Sequence, residues 1–276
     1  MSPNTVKRIT SALVLISVVC ACFYYGPKPT LVFTFFAGLI ALDEIYCNFF
    51  KKRRAHVNYF LALAIYIVPY VFFNFISVGD AWFSIFINAG LLLNAFLFVF
   101  LFYLDMESTL VLKLGDKIPF FAALFILIPM MSLTSLLHLD GWRAFVTVLL
   151  FVNFGMDTGA WFFGKNFGKH KLWKKVSPNK TIEGLIGGSI TSGLVGSLIW
   201  FIAFKNTSLK MFGLFCILGV LSQIGDLVQS KIKRQFGVKD SSQLIPGHGG
   251  VYDRIDSLIF LAPFYATIIN YFYFQR

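Results

Sequence analysis

The polar stretch from Ser230 to Asp256 concentrates the residue types that handle a phosphate and a metal ion. It reads Ser230-Lys231-Ile232-Lys233-Arg234, then Lys239-Asp240-Ser241-Ser242, then Pro246-Gly247-His248-Gly249-Gly250, then Asp253-Arg254-Ile255-Asp256. Ammonium and guanidinium groups neutralise phosphate oxygens. Carboxylates are hard donors that suit Mg2+ on a polyphosphate. A turn with almost no side-chain bulk lets backbone N–H groups approach a phosphate, although a Gly-rich turn is also an ordinary loop. His248 within that turn is a phosphate or head-group contact or, more often for a loop histidine, a structural residue.

Other acids flank this stretch. Asp226 lies near the end of an apolar run; if its helix continues, Asp226, Ser230, Lys233 and Arg234 share one face. A carboxylate beside cations suits phosphate plus metal, against the plainer reading of a boundary charge relieved by Lys233. Asp253 and Asp256 sit three apart at a helix start, so metal binding competes with capping of the helix dipole, more seriously for Asp256 than for Asp253. A second polar segment carries Lys165, Lys169, Lys171, Lys174 and Lys175, followed by Ser177, Lys180, Thr181 and Glu183 against a helix start, where N–H groups favour an anion. Asp157, one turn beyond Asn153, is a further intramembrane acid. Asp43 and Glu44 interrupt another apolar run. They either pair with Lys or Arg or border a head-group cavity, and the sequence leaves both open.

The elements that position these residues are membrane helices. The chain is 57% hydrophobic, with 34 Phe, a mean hydropathy of +0.74 and only 13% charged residues. That charge share is about half of the soluble average. Runs long enough to cross a bilayer recur at roughly 9–26, 30–50, 57–78, 81–104, 118–138, 142–163, 184–204, 211–229 and 257–274. The expected fold is an all-α polytopic membrane protein of about nine transmembrane helices, about five in residues 1–140 and about four in a catalytic region, 141–276. The longest connections are near 105–117, 164–183 and 230–256.

Charge sets the expected orientation. With the N-terminus in the cytoplasm, nineteen of the 24 Lys and Arg residues fall in cytoplasmic segments. Lys28, Arg143, Lys205, Lys210 and Arg276 fall opposite. This positive-inside split places the C-terminus on the opposite side and loops 164–183 and 230–256 in the cytoplasm. The net charge of +11 is therefore a topology signal and an attraction for anionic lipid or nucleotide, not for nucleic acid. The first apolar run reads as an uncleaved helix, because it is long and lacks an Ala-x-Ala site. Cys20, Cys22, Cys47 and Cys216 read as reduced, buried, small hydrophobes. Gly184, Gly188, Ser192 and Gly196 form a small-residue stripe for close helix packing, within or between subunits.

The run Ser230-x-Ile-Lys233-Arg234-x4-Lys239-Asp240-x-Ser242-x2-Ile245-Pro246-x-His248-Gly249-Gly250-Val251-x-Asp253-Arg254-Ile255-Asp256 resembles the signature of the CDP-diacylglycerol synthase (phosphatidate cytidylyltransferase) family. Asp157-Thr158-x-Ala160-Trp161, Gly164, Gly168, Ser177-Pro178-x-Lys180-Thr181-x-Glu183-Gly184 and Gly187-Gly188 are similar to it as well. The resemblance is strong over roughly 150–257, while the N-terminal half matches only in hydropathy. It implies that CTP and phosphatidate give CDP-diacylglycerol and pyrophosphate. It implies Mg2+ on Asp226 and Asp253, with Asp256 a further candidate, and a second cation such as K+. Lys233, Arg234, Lys239 and Arg254 would contact phosphates, and Ser230 and His248 would support the site. Ser177, Lys180, Thr181 and Glu183 would close it from the other loop. Asp157, Asp240, Gly249 and Gly250 complete the expected substrate-contacting set. The resemblance also implies a homodimer in a bacterial inner membrane, among membrane phospholipids.

Two rivals fit less well. A CTP-dependent lipid kinase of the dolichol or phytol type would transfer the γ-phosphoryl group instead. A transporter would use Asp43, Glu44, Asp157 and Asp226 as a coupling path, but has no need of two polar loops rich in phosphate ligands.

Overall fold

The computed structural model describes residues 3–106, 108 and 110–274, with side chains from Arg8 to Phe272. Arg276 and the side chain of Lys7, both used in the charge count, lie outside that description. The helices are α1 (Pro3–Tyr25), α2 (Pro27–Glu44), α3 (Val57–Val71), α4 (Asp80–Tyr103), α5 (Leu110–Lys117), α6 (Phe121–Ser135), α7 (Trp142–Phe167), α8 (Ile182–Phe204), α9 (Leu209–Gln235) and α10 (Tyr252–Phe274). Among the described residues, nine helices are long and apolar enough to cross a membrane, and α5 is not one of them. The expected all-α polytopic fold is the observed one.

Three details depart from the boundaries read off the sequence. Helix α9 continues to Gln235 instead of stopping near 229. The buried Lys231 explains this: its ammonium donates to the carbonyls of Phe100 (2.7 Å), Leu101 (3.0 Å) and Leu104 at the end of α4. One long side chain thus satisfies orphan C-terminal carbonyls and ties two helices. Helix α10 starts at Tyr252 instead of 257, which puts both Asp253 and Asp256 on the helix. The connection at 164–183 is partly ordered as an antiparallel hairpin of β1 (Lys171–Trp173) and β2 (Ser177–Thr181).

Helices α7, α8 and α9 pack together, and α10 lies against α9 and α6. The small-residue stripe on α8 works inside this chain. A Cβ on Gly188 would meet the Met156 carbonyl at 2.7 Å, and Ser192 Oγ donates to the Val152 carbonyl at 2.8 Å. The stripe is consumed against α7 and so gives no support for a dimer. Because α10 packs on α6, the two halves of the chain share one interior. The four cysteines are free thiols as expected, but they are not buried: Cys20 is exposed, and Cys22, Cys47 and Cys216 are only half-buried.

The basic segments gather at one end of the bundle. Lys52 pairs with Asp116, Lys180 with Asp226, and Ser11 near Arg8 bonds to His248. Arg143 instead bonds the carbonyls of Phe23 (2.9 Å) and Tyr24 (3.3 Å), where α1 ends. The grouping inferred from charge counting is therefore reproduced by contacts between the segments.

Candidate active site

The polar stretch 230–256 leaves α9, turns, and re-enters the bundle as α10. A loop with so many polar groups needs partners, and one buried carboxylate supplies several. Glu44, at the C-terminal end of α2, accepts hydrogen bonds from Ser241 Oγ (2.8 Å), Ser242 Oγ (2.6 Å), Val251 N (3.0 Å) and Tyr252 N (2.8 Å). Asn48 Nδ2, one turn later, donates to the Ser241 carbonyl at 2.6 Å. Gly250 is required by this approach: a Cβ there would overlap Ser241 Oγ and sit 2.5 Å from the Glu44 carboxylate. Tyr252 is fully buried, and its hydroxyl bonds Gln229 on α9.

Asp43 has a different task. Arg54 grips it with Nε (2.8 Å) and Nη2 (2.6 Å), and the Tyr59 hydroxyl donates to it at 2.7 Å. This pairing folds the 50–56 turn back onto α2. Of the two possibilities for the acids of the second span, Asp43 pairs with an arginine and Glu44 anchors the signature loop.

Asp253 completes the anchoring. Its Oδ2 accepts from Ser241 N (2.7 Å) and Gly250 N (2.9 Å) and lies 2.9 Å from Ser241 Oγ, whose one proton it shares with Glu44, and its Oδ1 faces Lys233 at 2.9 Å. The Gly250 N–H is thus engaged by Asp253. Lys233 also approaches Asp256 at 3.6 Å, so one largely buried ammonium bridges two acids of α10. Across from them, Asp226 of α9 pairs with Lys180 of β2 and accepts from Ser230 Oγ at 3.4 Å. The Lys180–Asp226 contact joins the two polar loops. Asp226 lies close enough to Asp157 on α7 and to Asp256 to repel both. The centre therefore gathers Asp157, Asp226, Asp253 and Asp256 around Lys180 and Lys233, with more acid than base.

The other expected residues are placed as follows. Thr181 caps α8, its hydroxyl accepting from Gly184 N at 3.1 Å. Glu183, in the first turn of α8, accepts from His170 N (3.2 Å) and pairs with His170 Nδ1 (2.7 Å), which shapes the hairpin. Ser177 starts β2 opposite Trp173. Arg234 is exposed on α9. Lys239, Asp240, His248, Gly249 and Arg254 line a polar cleft of about 730 Å3. His248 sits in that cleft with its proton affinity lowered, first by burial and then by the Arg254 and Arg8 guanidinium groups. Below its ordinary value of about 6.5, it is neutral at pH 7.

A metal fits part of this arrangement. No group of three or more His, Cys, Asp or Glu side chains among the described residues is placed to hold an ion alone. Magnesium on a nucleotide needs only one or two carboxylates, with phosphates and water filling its octahedron. Asp226, beside Lys180 and Ser230, and Asp256, beside Lys233 and Ser257 N, have fewer protein donors than Asp253 and are the acids that could meet that need. Asp253 is the most heavily engaged of the acids, with four contacts from protein donors.

Sequence reading missed Asn48, Ser11 and Arg8 as neighbours of the signature loop, and left Glu44 undecided. The one available signal was that an acid inside a span must find internal partners.

A membrane fold with nine spanning helices among the described residues, an acid-rich centre and a basic cleft at one end defines an integral-membrane protein built to receive phosphorylated ligands. The chain belongs to the cytidylyltransferase family, whose model matches residues 6–272. It is 52% identical over 108 residues to the phosphatidate cytidylyltransferase of Staphylococcus aureus (strain COL), a match spanning 39% of this chain and 42% of that protein. It is 34% identical over 263 residues to the protein of that name from Staphylococcus haemolyticus, covering 93% of this chain and 95% of the relative. The Haemophilus influenzae protein of that name is 37% identical over 296 residues, covering 97% and 98%. The likeness thus extends through the N-terminal half, beyond shared hydropathy.

Proposed function

We propose that this protein joins CTP to phosphatidate, giving CDP-diacylglycerol and pyrophosphate. The observation that carries this reading is the near-full-length likeness to relatives named phosphatidate cytidylyltransferase. The geometry agrees with it, because the acid centre and the basic cleft together suit two anionic substrates.

In the proposed reaction a phosphate oxygen of phosphatidate attacks the α-phosphorus of CTP. The new P–O bond forms as the α–β bridging P–O bond breaks, and the electron pair leaves with pyrophosphate. The nucleophile is already anionic, so no strong base is required; the barrier is repulsion between two anions. Lys239 and Arg254, lining the cleft, hold phosphate oxygens, and Arg234, exposed on α9, is a further candidate. Lys180 and Lys233, paired with Asp226, Asp253 and Asp256 in the acid centre, are two further cations that would contact phosphate. Asp226 and Asp256 would hold Mg2+, with Asp253 behind them through Lys233. Charge neutralisation on the triphosphate and its leaving group is the chemistry that Mg2+ supplies when bound.

The same reading puts the site end of the bundle in the cytoplasm, where CTP is, with the C-terminus opposite, in a bacterial inner membrane. Nineteen basic residues in the segments of that end support it. A K+ ion beside Mg2+ and a homodimer follow from family likeness alone. The test is purified protein with phosphatidate, Mg2+ and CTP labelled either in cytidine or at the γ-phosphate. Cytidine label entering the lipid is expected. Entry of γ-label alone makes the protein a lipid kinase, and no lipid product overturns the reading.

A further inference from the structure

Helix α1 reaches the site at its N-terminal end. Ser11 Oγ lies 2.8 Å from His248 Nδ1 and donates within reach of the Pro246 carbonyl at 3.1 Å. Arg8, one turn earlier, lines the polar cleft beside Lys239, His248 and Arg254. Gly247, at φ +77°, makes room for it: a Cβ there would stand 2.6 Å from Arg8 Cγ. Arg8 is exposed, and it shares the cleft with Asp240 as well as with the basic residues.

From the same end an apolar groove descends into the membrane. Leu15, Val19 and Phe23 of α1 form one wall; residues of α2, α6 and α7 form the others. Arg254 and Ile245 line both groove and cleft, so the two are continuous. From Leu15 to Phe23 the helix rises about 12 Å, enough for the upper part of an acyl chain. A guanidinium pair at the mouth of an apolar groove matches a lipid with a phosphate monoester head, which carries both features in one molecule.

We propose that α1 forms the lipid side of the site: Arg8, with Arg254, takes the phosphate of phosphatidate, and the Leu15–Phe23 groove holds the start of one acyl chain. This rests on the phosphatidate reading above. Nucleotide contacts then lie on the opposite side, around Lys180 and Asp226.

Two readouts separate the two readings. In steady-state kinetics, Arg8→Gln raises KM for phosphatidate about 10-fold or more and leaves KM for CTP unchanged, and Arg8→Lys recovers part of the loss. In native mass spectrometry without CTP, the wild-type protein retains phosphatidate over phosphatidylcholine, and Arg8→Gln loses that preference. Val19→Trp, which fills the groove, weakens retention of long-chain phosphatidate more than of a short-chain analogue. If the wild-type protein makes CDP-diacylglycerol while Arg8→Gln matches it in both readouts, this proposal falls and the function stands. If phosphatidate is retained through Arg8 but never cytidylylated, the function falls and the lipid site stands. A rise in KM for CTP alone would reassign Arg8 to the nucleotide.

Discussion

Two groups of intramembrane acids meet at the same end of the bundle, and they are served differently. Glu44 on α2 is surrounded by neutral donors: two serine hydroxyls and two backbone N–H groups. Those bonds satisfy the carboxylate and, with it, the loop that supplies them. Asp226 and Asp256 instead stand beside ammonium groups, Lys180 for the first and Lys233 for the second. An acid whose oxygens are satisfied by loop amides is architecture. Acids gathered in excess over the lysines beside them in low dielectric are the ones whose charge a bound cation would relieve. The contrast separates an acid taken up by loop donors from acids that stand beside lysines, and Asp253 touches both sets through Ser241 and Lys233.

That division is open to direct attack. The largest effect is expected at Asp226: Asp226→Asn lowers CDP-diacylglycerol formation by about 100-fold or more, while the thermal midpoint of the purified protein stays near wild type. Removal of divalent cations by chelation has the same effect, reversed by Mg2+. A large loss of thermal stability in Asp226→Asn would erase the distinction from Glu44. Next comes Glu44→Ala, which strands three donors, Ser242 Oγ and the N–H groups of Val251 and Tyr252, and costs about 3 kcal/mol or more of stability. Turnover falls with it, read as a lowered thermal midpoint together with a loss of rate. A variant as stable as wild type would show that the loop does not depend on α2. Lys231→Met is expected to cost about 1–3 kcal/mol by exposing the α4 carbonyls, with both KM values unchanged. A shift in either KM would move Lys231 into the working set.

The smallest effect concerns His248. Its proton affinity is depressed, so the folded protein prefers the neutral ring. Protonation sets in only as pH falls below the ordinary value of about 6.5, and the folded loop is weakened there. An NMR titration of labelled histidine checks this, with a midpoint below 6.5 expected. Arg8→Gln and Arg254→Gln should each move that midpoint upward, since each removes a nearby positive charge.

Much of this protein is legible along the chain. Apolar runs of about 20 residues mark the spans because lipid offers backbone groups no partners, and helices alone satisfy them locally. The polar block from Ser230 to Asp256 stands out for the same reason. Less was legible wherever partners are distant. Glu44 and Ser242 are separated by most of the chain, and nothing in the local pattern of α2 announces which loop will occupy its carboxylate. Lys231 looked like one more basic residue beside the membrane, yet its stem and ammonium are buried against α4. Thr181 looked like a phosphate ligand and is a helix cap, a local role that its position before Ile182 already allowed.

By itself the sequence determined a polytopic helical membrane protein, the gathering of its basic segments at one end, and the inventory of acids and cations available for chemistry. Composition and periodicity are enough for that, because the bilayer imposes them. Only the tertiary structure decided which acids are taken up by loop donors and which stand beside lysines. A carboxylate's role depends on the donors packed around it, and those donors arrive from helices that are neighbours in space and not in sequence.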